Sequence, residues 1–140
     1  MTPSEVFSIV SKLAISMWIL MVFLPKWSIT RFFIDYKIIP IILSIVYVTY
    51  IIQAIQIGGM MDFGSLKSVM ALFTEQNAVL AGWVHYLAFD LLIGMWILNQ
   101  NRTVKIHHLL IIPCLLATFM FGPIGFLLFT IMSAVKLKKA

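Results

Sequence analysis

Charge is what this sequence has least of. Ten Lys and Arg and five Asp and Glu are spread over 140 residues, while 62% of the chain is hydrophobic. Soluble domains average about half apolar and about a quarter charged. A chain this short also has too much surface for its volume to hide the excess. A water-soluble globule is therefore excluded, and the solvent for the fold is a bilayer. Cysteine is the second absence. Cys114 stands alone, which rules out an internal disulfide or a multi-cysteine metal site. No polar linker interrupts the chain, so residues 1–140 read as a single domain. No GxGxxG, P-loop, HExxH or GxSxG signature is present. No cofactor and no metal are expected.

What is there is hydrocarbon in long runs. Four stretches approach the roughly 20 apolar residues that a membrane helix needs: Val6–Leu24, Ile38–Ile57, Ala78–Leu98 and Leu109–Val135. Pro25 stops the first run, and Pro40 falls in the first turn of the second, where its missing N–H is harmless. Gly58 and Gly59 end the second. The connection Asn99–His108, containing the polar NQNRT, predicts a short turn near Thr103 that makes the last two runs antiparallel neighbours. Met61–Asn77 carries the pattern of a short interfacial helix capped by Ser65. The fold class expected is all-α, a polytopic bundle of four transmembrane helices. The leading MTPSEVF has no basic region and no cleavage site follows it, so the first run is expected to stay in the mature protein.

The net charge of +5 does not point to nucleic acid. Its cations flank the apolar runs, where they meet anionic headgroups, so membrane lipids are the expected partners. With four spans, Lys67, Lys136, Lys138 and Lys139 oppose Lys26, Arg31, Lys37, Arg102 and Lys105. That balance leaves orientation open.

The third run, containing GWVHYLAFDL, has two unlike faces at about 100° per residue. Leu80, Val84, Leu87, Ala88, Leu91, Met95 and Leu98 make one aliphatic side, expected to face lipid. Gly82, Trp83, His85, Tyr86, Phe89, Asp90, Ile93, Gly94 and Trp96 make the other, expected to face the bundle, where small and polar residues serve helix contacts. His85 and Asp90 lie about 140° apart on this wheel and would flank a slot. An ionisable group at membrane depth costs a few kcal/mol on insertion scales, and such groups default to function. A neutral carboxylic acid and a neutral imidazole facing an apolar space make an acid–base set. Folding about Thr103 puts Phe121, Gly122 and Pro123 at the depth of His85, and Thr118 and Cys114 near Asp90. Pro123 cannot donate to the carbonyl of Phe119, so FGPIG is a helix break; its plain reading is a packing kink. His107 and His108 lie about 20 Å across the membrane from His85, too far to share a haem with it.

The residues WVHYLAFDLLIG, followed by IIPCLLATFMFGPIGFLLF, resemble the abscisic-acid-deficient-four family of neoxanthin synthase-like membrane proteins. The W-x-H-x-x-x-x-D-L core and the P-x-G segment carry the likeness, over about Leu72 to Phe129. The resemblance lends weight to Trp83, His85, Asp90, Leu91, Pro123 and Gly125. Many family members carry an arginine shortly after the D-L pair, where this chain has Met95 and Trp96. The resemblance implies chemistry on a carotenoid or other isoprenoid lipid, an epoxide-opening isomerisation without redox change. Asp90 and His85 would be catalytic, with Trp83, Tyr86, Phe89, Trp96, Thr118 and Pro123 around the substrate. The absence of a plastid leader implies a bacterial cytoplasmic membrane. A homo-oligomer is a further expected assembly. Two alternatives stay open: a non-catalytic membrane protein in which His85 and Asp90 lock helices together, and a proton or small-ion path.

Overall fold

A computed structural model describes Met1–Lys139, and the regular structure among these residues is all helix, without strands. In chain order the helices are α1 (Pro3–Phe23), α2 (Ser28–Tyr36), α3 (Ile38–Gly58), α4 (Leu66–Leu72), α5 (Gln76–Val104), α6 (His108–Phe121) and α7 (Pro123–Lys139). Three of them, α1, α3 and α5, are long and apolar enough to cross a membrane. Their exposed positions confirm the kind of solvent they need. Ile9, Ile15 and Ile19 on α1, and Ile41, Ile45, Val48 and Ile52 on α3, are all exposed. Water would penalise each of them by up to a few kcal/mol, whereas acyl chains do not.

Contacts divide the chain into two compact units, and α1 and α5 contribute to both. The first unit joins Met1–Ala14 to Ile39–Ala88, and the second joins Ile15–Ile38 to the chain from Phe89 onward. In the first, α4 begins as its sequence predicts. Ser65 is the N-cap, and its hydroxyl oxygen accepts from the Ser68 N–H at 3.1 Å. Just before it, Asp62 accepts from the Gly64 N–H at 2.8 Å. That bond, with the Ser68 hydroxyl, holds the carboxyl of Asp62 below its ordinary range.

The second unit corrects the expected fourth span. Leu109–Val135 is not one crossing helix but a helical hairpin. Gly122 adopts φ 50° and ψ −89°, a left-handed φ that glycine tolerates best. Pro123 then opens α7 at the position where its missing N–H costs nothing. The chain turns back on itself. Gly125 packs onto Thr118 and the carbonyl of Cys114, the Cys114 thiol lies 3.6 Å from Met132 Sδ, and the Lys136 ammonium donates to the Lys105 carbonyl. A straight helix would separate residues 114 and 125 by about 16 Å. Neither arm, of 14 and 17 residues, reaches the length of a full span.

The reversal before α6 is shorter than the expected Asn99–His108: α5 runs through NQNRT to Val104, and only residues 105–107 connect it to α6. Asn101 brackets Ile106, donating from Nδ2 to its carbonyl and accepting from its N–H, both at 2.8 Å. Lys105 takes a left-handed φ of 60°. The turn is thus centred near Ile106 rather than Thr103, so Gly122 meets Asp90 instead of lying at the depth of His85. Helix α2 was not expected from the sequence. Its signal is short: Thr30 and Ile34, one turn apart, are buried, and Arg31 pairs with Asp35 at 3.4 Å on the other side.

Candidate functional site

Helix α5 carries most of the candidate residues, and it faces the opposite way from the expectation. Leu80, Val84, Leu87, Ala88, Leu91, Met95 and Leu98 are all buried, whereas Trp83, Phe89 and Trp96 are exposed. His85 is exposed as well. Hydrocarbon is as apolar as leucine, so hydrophobicity gives no preference for which face meets lipid. Compact aliphatic side chains pack closely, and the bulky rings are left outside. Asp90 and Gly94 depart from this reversal. Both lie on the polar and aromatic arc, and both are buried.

In the second unit, Asp90 is 8% exposed. Its surroundings explain how a carboxyl is kept there. A Cβ added to Gly122 would stand 2.6 Å from Asp90 Oδ1. The carboxyl therefore lies against the bare Cα of the hairpin tip, where α7 starts. The partial positive charge of a helix N-terminus favours a carboxylate or a hydrogen-bonded carboxyl by about 0.3–1 kcal/mol. Beside it opens a cavity of ≈ 300 Å³ lined by Phe89, Asp90, Ile93, Gly122, Pro123 and Phe126. Asp90 is the one ionisable side chain in that lining. Trp96 sits next to this wall, with ring centroids 5.4 Å from Phe126 and 5.6 Å from Phe129. Gly94 admits the buried Trp18, whose ring would come within 2.8 Å of an added Cβ.

Thr118, expected around the substrate, is fully buried in the hairpin instead. Its hydroxyl donates to the Cys114 carbonyl at 2.7 Å, bonding the backbone one turn back. Pro123 is exposed at the tip and lines the Asp90 cavity, while Cys114 is buried.

In the first unit, Trp83 and Tyr86 belong to an aromatic groove of ≈ 470 Å³. Their rings stack at 5.6 Å with an interplanar angle of 23°. Phe7 approaches Trp83 at 5.2 Å, and Phe73 closes over Gly82, 3.7 Å from where a Cβ would stand. The indole N–H of Trp83 donates to Ser11 Oγ at 2.9 Å, which fixes the ring's orientation. Ser4 and Gln76 supply the groove's polar edge. Sequence reasoning missed Phe7 and Phe73 as groove residues, because only contacts between segments distant in the chain bring their rings to Trp83 and Tyr86. His85 packs its ring against Tyr47 at 5.7 Å.

These features define a helical membrane protein that keeps one carboxyl buried at an apolar cavity and arranges a separate set of aromatic rings along a groove. Residues 5–129 match the ABA4-like family, described as ABA DEFICIENT 4-like, and the chain belongs to that family. The match covers the first two apolar runs as well as the half that carries the W-x-H and P-x-G motifs. Comparison with curated proteins and with solved structures gave no match.

Proposed function

We propose that this protein binds a carotenoid or other isoprenoid lipid within the membrane and isomerises it without a cofactor. Asp90 acts as the acid and, once it has given its proton, as the base; His85, expected to share that role, packs against Tyr47 and lines neither cavity. The observation that carries the reading is Asp90 itself, a buried carboxyl on the wall of an otherwise apolar cavity. In this reading the carboxyl of Asp90 is the proton donor. For an epoxide substrate, that carboxyl delivers a proton to the ring oxygen and the carboxylate left behind removes one from carbon. One proton goes on and one comes off, so the product is an isomer and no oxidant is needed. The rings of Phe89 and Phe126 in the cavity lining, with Trp96 beside them, offer flat apolar surface to a polyene or a cyclised end group. Membership of the ABA4-like family supports this substrate class. In this reading the membrane is a bacterial cytoplasmic one, crossed by α1, α3 and α5, and the α6–α7 hairpin follows them in the chain.

A second reading rests on the same contact. Asp90 against Gly122 is also what a helix cap would look like, and its role would then be to hold the hairpin tip. Asp90→Asn separates the two, because an amide can still cap a helix but cannot deliver the proton. The test is lipid extraction and mass spectrometry of protein purified from a carotenoid-producing host, wild type beside Asp90→Asn, with His85→Ala as a variant outside the cavity. Under the first reading the wild type retains an isoprenoid lipid, Asp90→Asn folds but leaves it unconverted, and His85→Ala converts it. An Asp90→Asn protein that folds and handles every extracted lipid as the wild type does would remove the catalytic role.

A further inference from the structure

One end of the second unit gathers positive charge. Lys26 follows α1, Arg31 lies on α2, Arg102 closes α5, and Lys105 with His107 and His108 leads into α6. Together they line a single cavity of ≈ 660 Å³ with no carboxylate in its lining. Asp35 is the one acid at hand, and it is exposed and already paired with Arg31 at 3.4 Å. Four cations around one space repel each other, and an anion between them relieves that repulsion.

The cavity is built from held parts. Arg31 is half-buried, and its Nη2 donates to Asn99 Oδ1 at 2.8 Å. Asn101 clamps both backbone groups of Ile106. The Lys105 carbonyl is fixed by Lys136, and His108 Nε2 is 2.7 Å from the Val22 carbonyl. The site stands about 16 Å along α5 from Asp90, so it is not the cavity of the proposed chemistry. It lies where α1 and α5 end, the level at which lipid headgroups sit.

We propose that this basic cavity is a phosphate-binding site. A phosphate offers several acceptor oxygens to a planar guanidinium fork and to point-charge ammonium groups at once, and only where no cation of its own neutralises it, as choline does, is its full charge left for them. The phosphate has two sources, an anionic phospholipid of the surrounding leaflet or a free phosphate from solution. Basic pockets at the ends of membrane helices suit the first.

The test uses the full-length protein in neutral detergent. Thermal unfolding is followed while dioleoylphosphatidylglycerol, dioleoylphosphatidylcholine or inorganic phosphate is added. The glycerol lipid should raise the midpoint and the choline lipid should not. Lys26→Gln with Arg102→Gln should weaken the apparent affinity by about tenfold or more. Lys138→Gln with Lys139→Gln removes equal charge from the same end but outside the cavity lining, and should leave it intact. Lys26→Arg with Arg102→Lys keeps the charges and should retain most of the effect, and Lys26→Gln alone serves if the double variant does not fold. Inorganic phosphate giving the same pattern at equal concentration would identify the soluble source. Stabilisation by none of the three, or loss that is equal in the two charge-removing doubles, overturns the proposal.

Discussion

Gly125→Ala is the sharpest probe of the hairpin. An added Cβ would stand 2.5 Å from the Cys114 carbonyl oxygen and would overlap both the backbone nitrogen and the hydroxyl of Thr118. Carbon and oxygen settle no closer than about 3.3 Å, so α6 and α7 must part by roughly 0.8 Å at their crossing. A gap of that size forfeits about a quarter to a half of each dispersion contact along the seam. Overpacking a tight core costs about 1–3 kcal/mol, and the upper end applies because the obstruction is backbone that cannot rotate away. We expect a loss of about 3 kcal/mol, which lowers the folded-to-unfolded ratio roughly 100-fold. The assay is unfolding by SDS in mixed micelles, followed by circular dichroism. Gly58→Ala is the control, because nothing lies within 4 Å of its added Cβ; it should be neutral or stabilising by up to about 1 kcal/mol. The reasoning fails if Gly125→Ala is as stable as Gly58→Ala. It also fails if adding Thr118→Ala restores full stability, because the Cys114 carbonyl would still block the new methyl group.

Gly122→Ala combines a left-handed φ with a carboxyl 2.6 Å from the new Cβ. The backbone part alone should cost about 1–2 kcal/mol, and Asp90→Ser in the same chain should recover only the steric remainder, read in the same unfolding assay. Membrane orientation follows from the hairpin. Because Lys136 returns to Lys105, Lys136, Lys138 and Lys139 join Lys26, Arg31, Lys37, Arg102 and Lys105 at one end of the second unit. Cytoplasmic loops carry the excess of Lys and Arg. Lys138→Cys, in a Cys114→Ala background, should therefore be labelled by an impermeant maleimide only from the cytoplasmic side; labelling from outside intact cells refutes the assignment.

Much of this architecture was legible from residue type and spacing. Sustained apolar runs require a bilayer whatever their packing, so α1, α3 and α5 could be read directly from hydropathy. The Ser65 cap and the break at FGPIG could be read too, because capping oxygens, missing N–H groups and glycine dihedrals act within a few residues. Asp90 was placed as a buried group for a general reason: a carboxyl at that depth needs partners.

Three features were not legible, and all depend on contacts between distant segments. A helix break leaves its angle open. Whether FGPIG kinks a span or folds it into a hairpin is decided by Gly125 fitting against Thr118 and Cys114, seven and eleven residues earlier. The direction of α5 could not be read either, because aliphatic and aromatic faces are equally at ease in lipid, and only the space available among neighbouring helices sends the rings outward. The charge balance changed for the same reason as the fold. Four cations against five left orientation undecided for a straight fourth helix, and turning that helix back brought three lysines to the end that already held five.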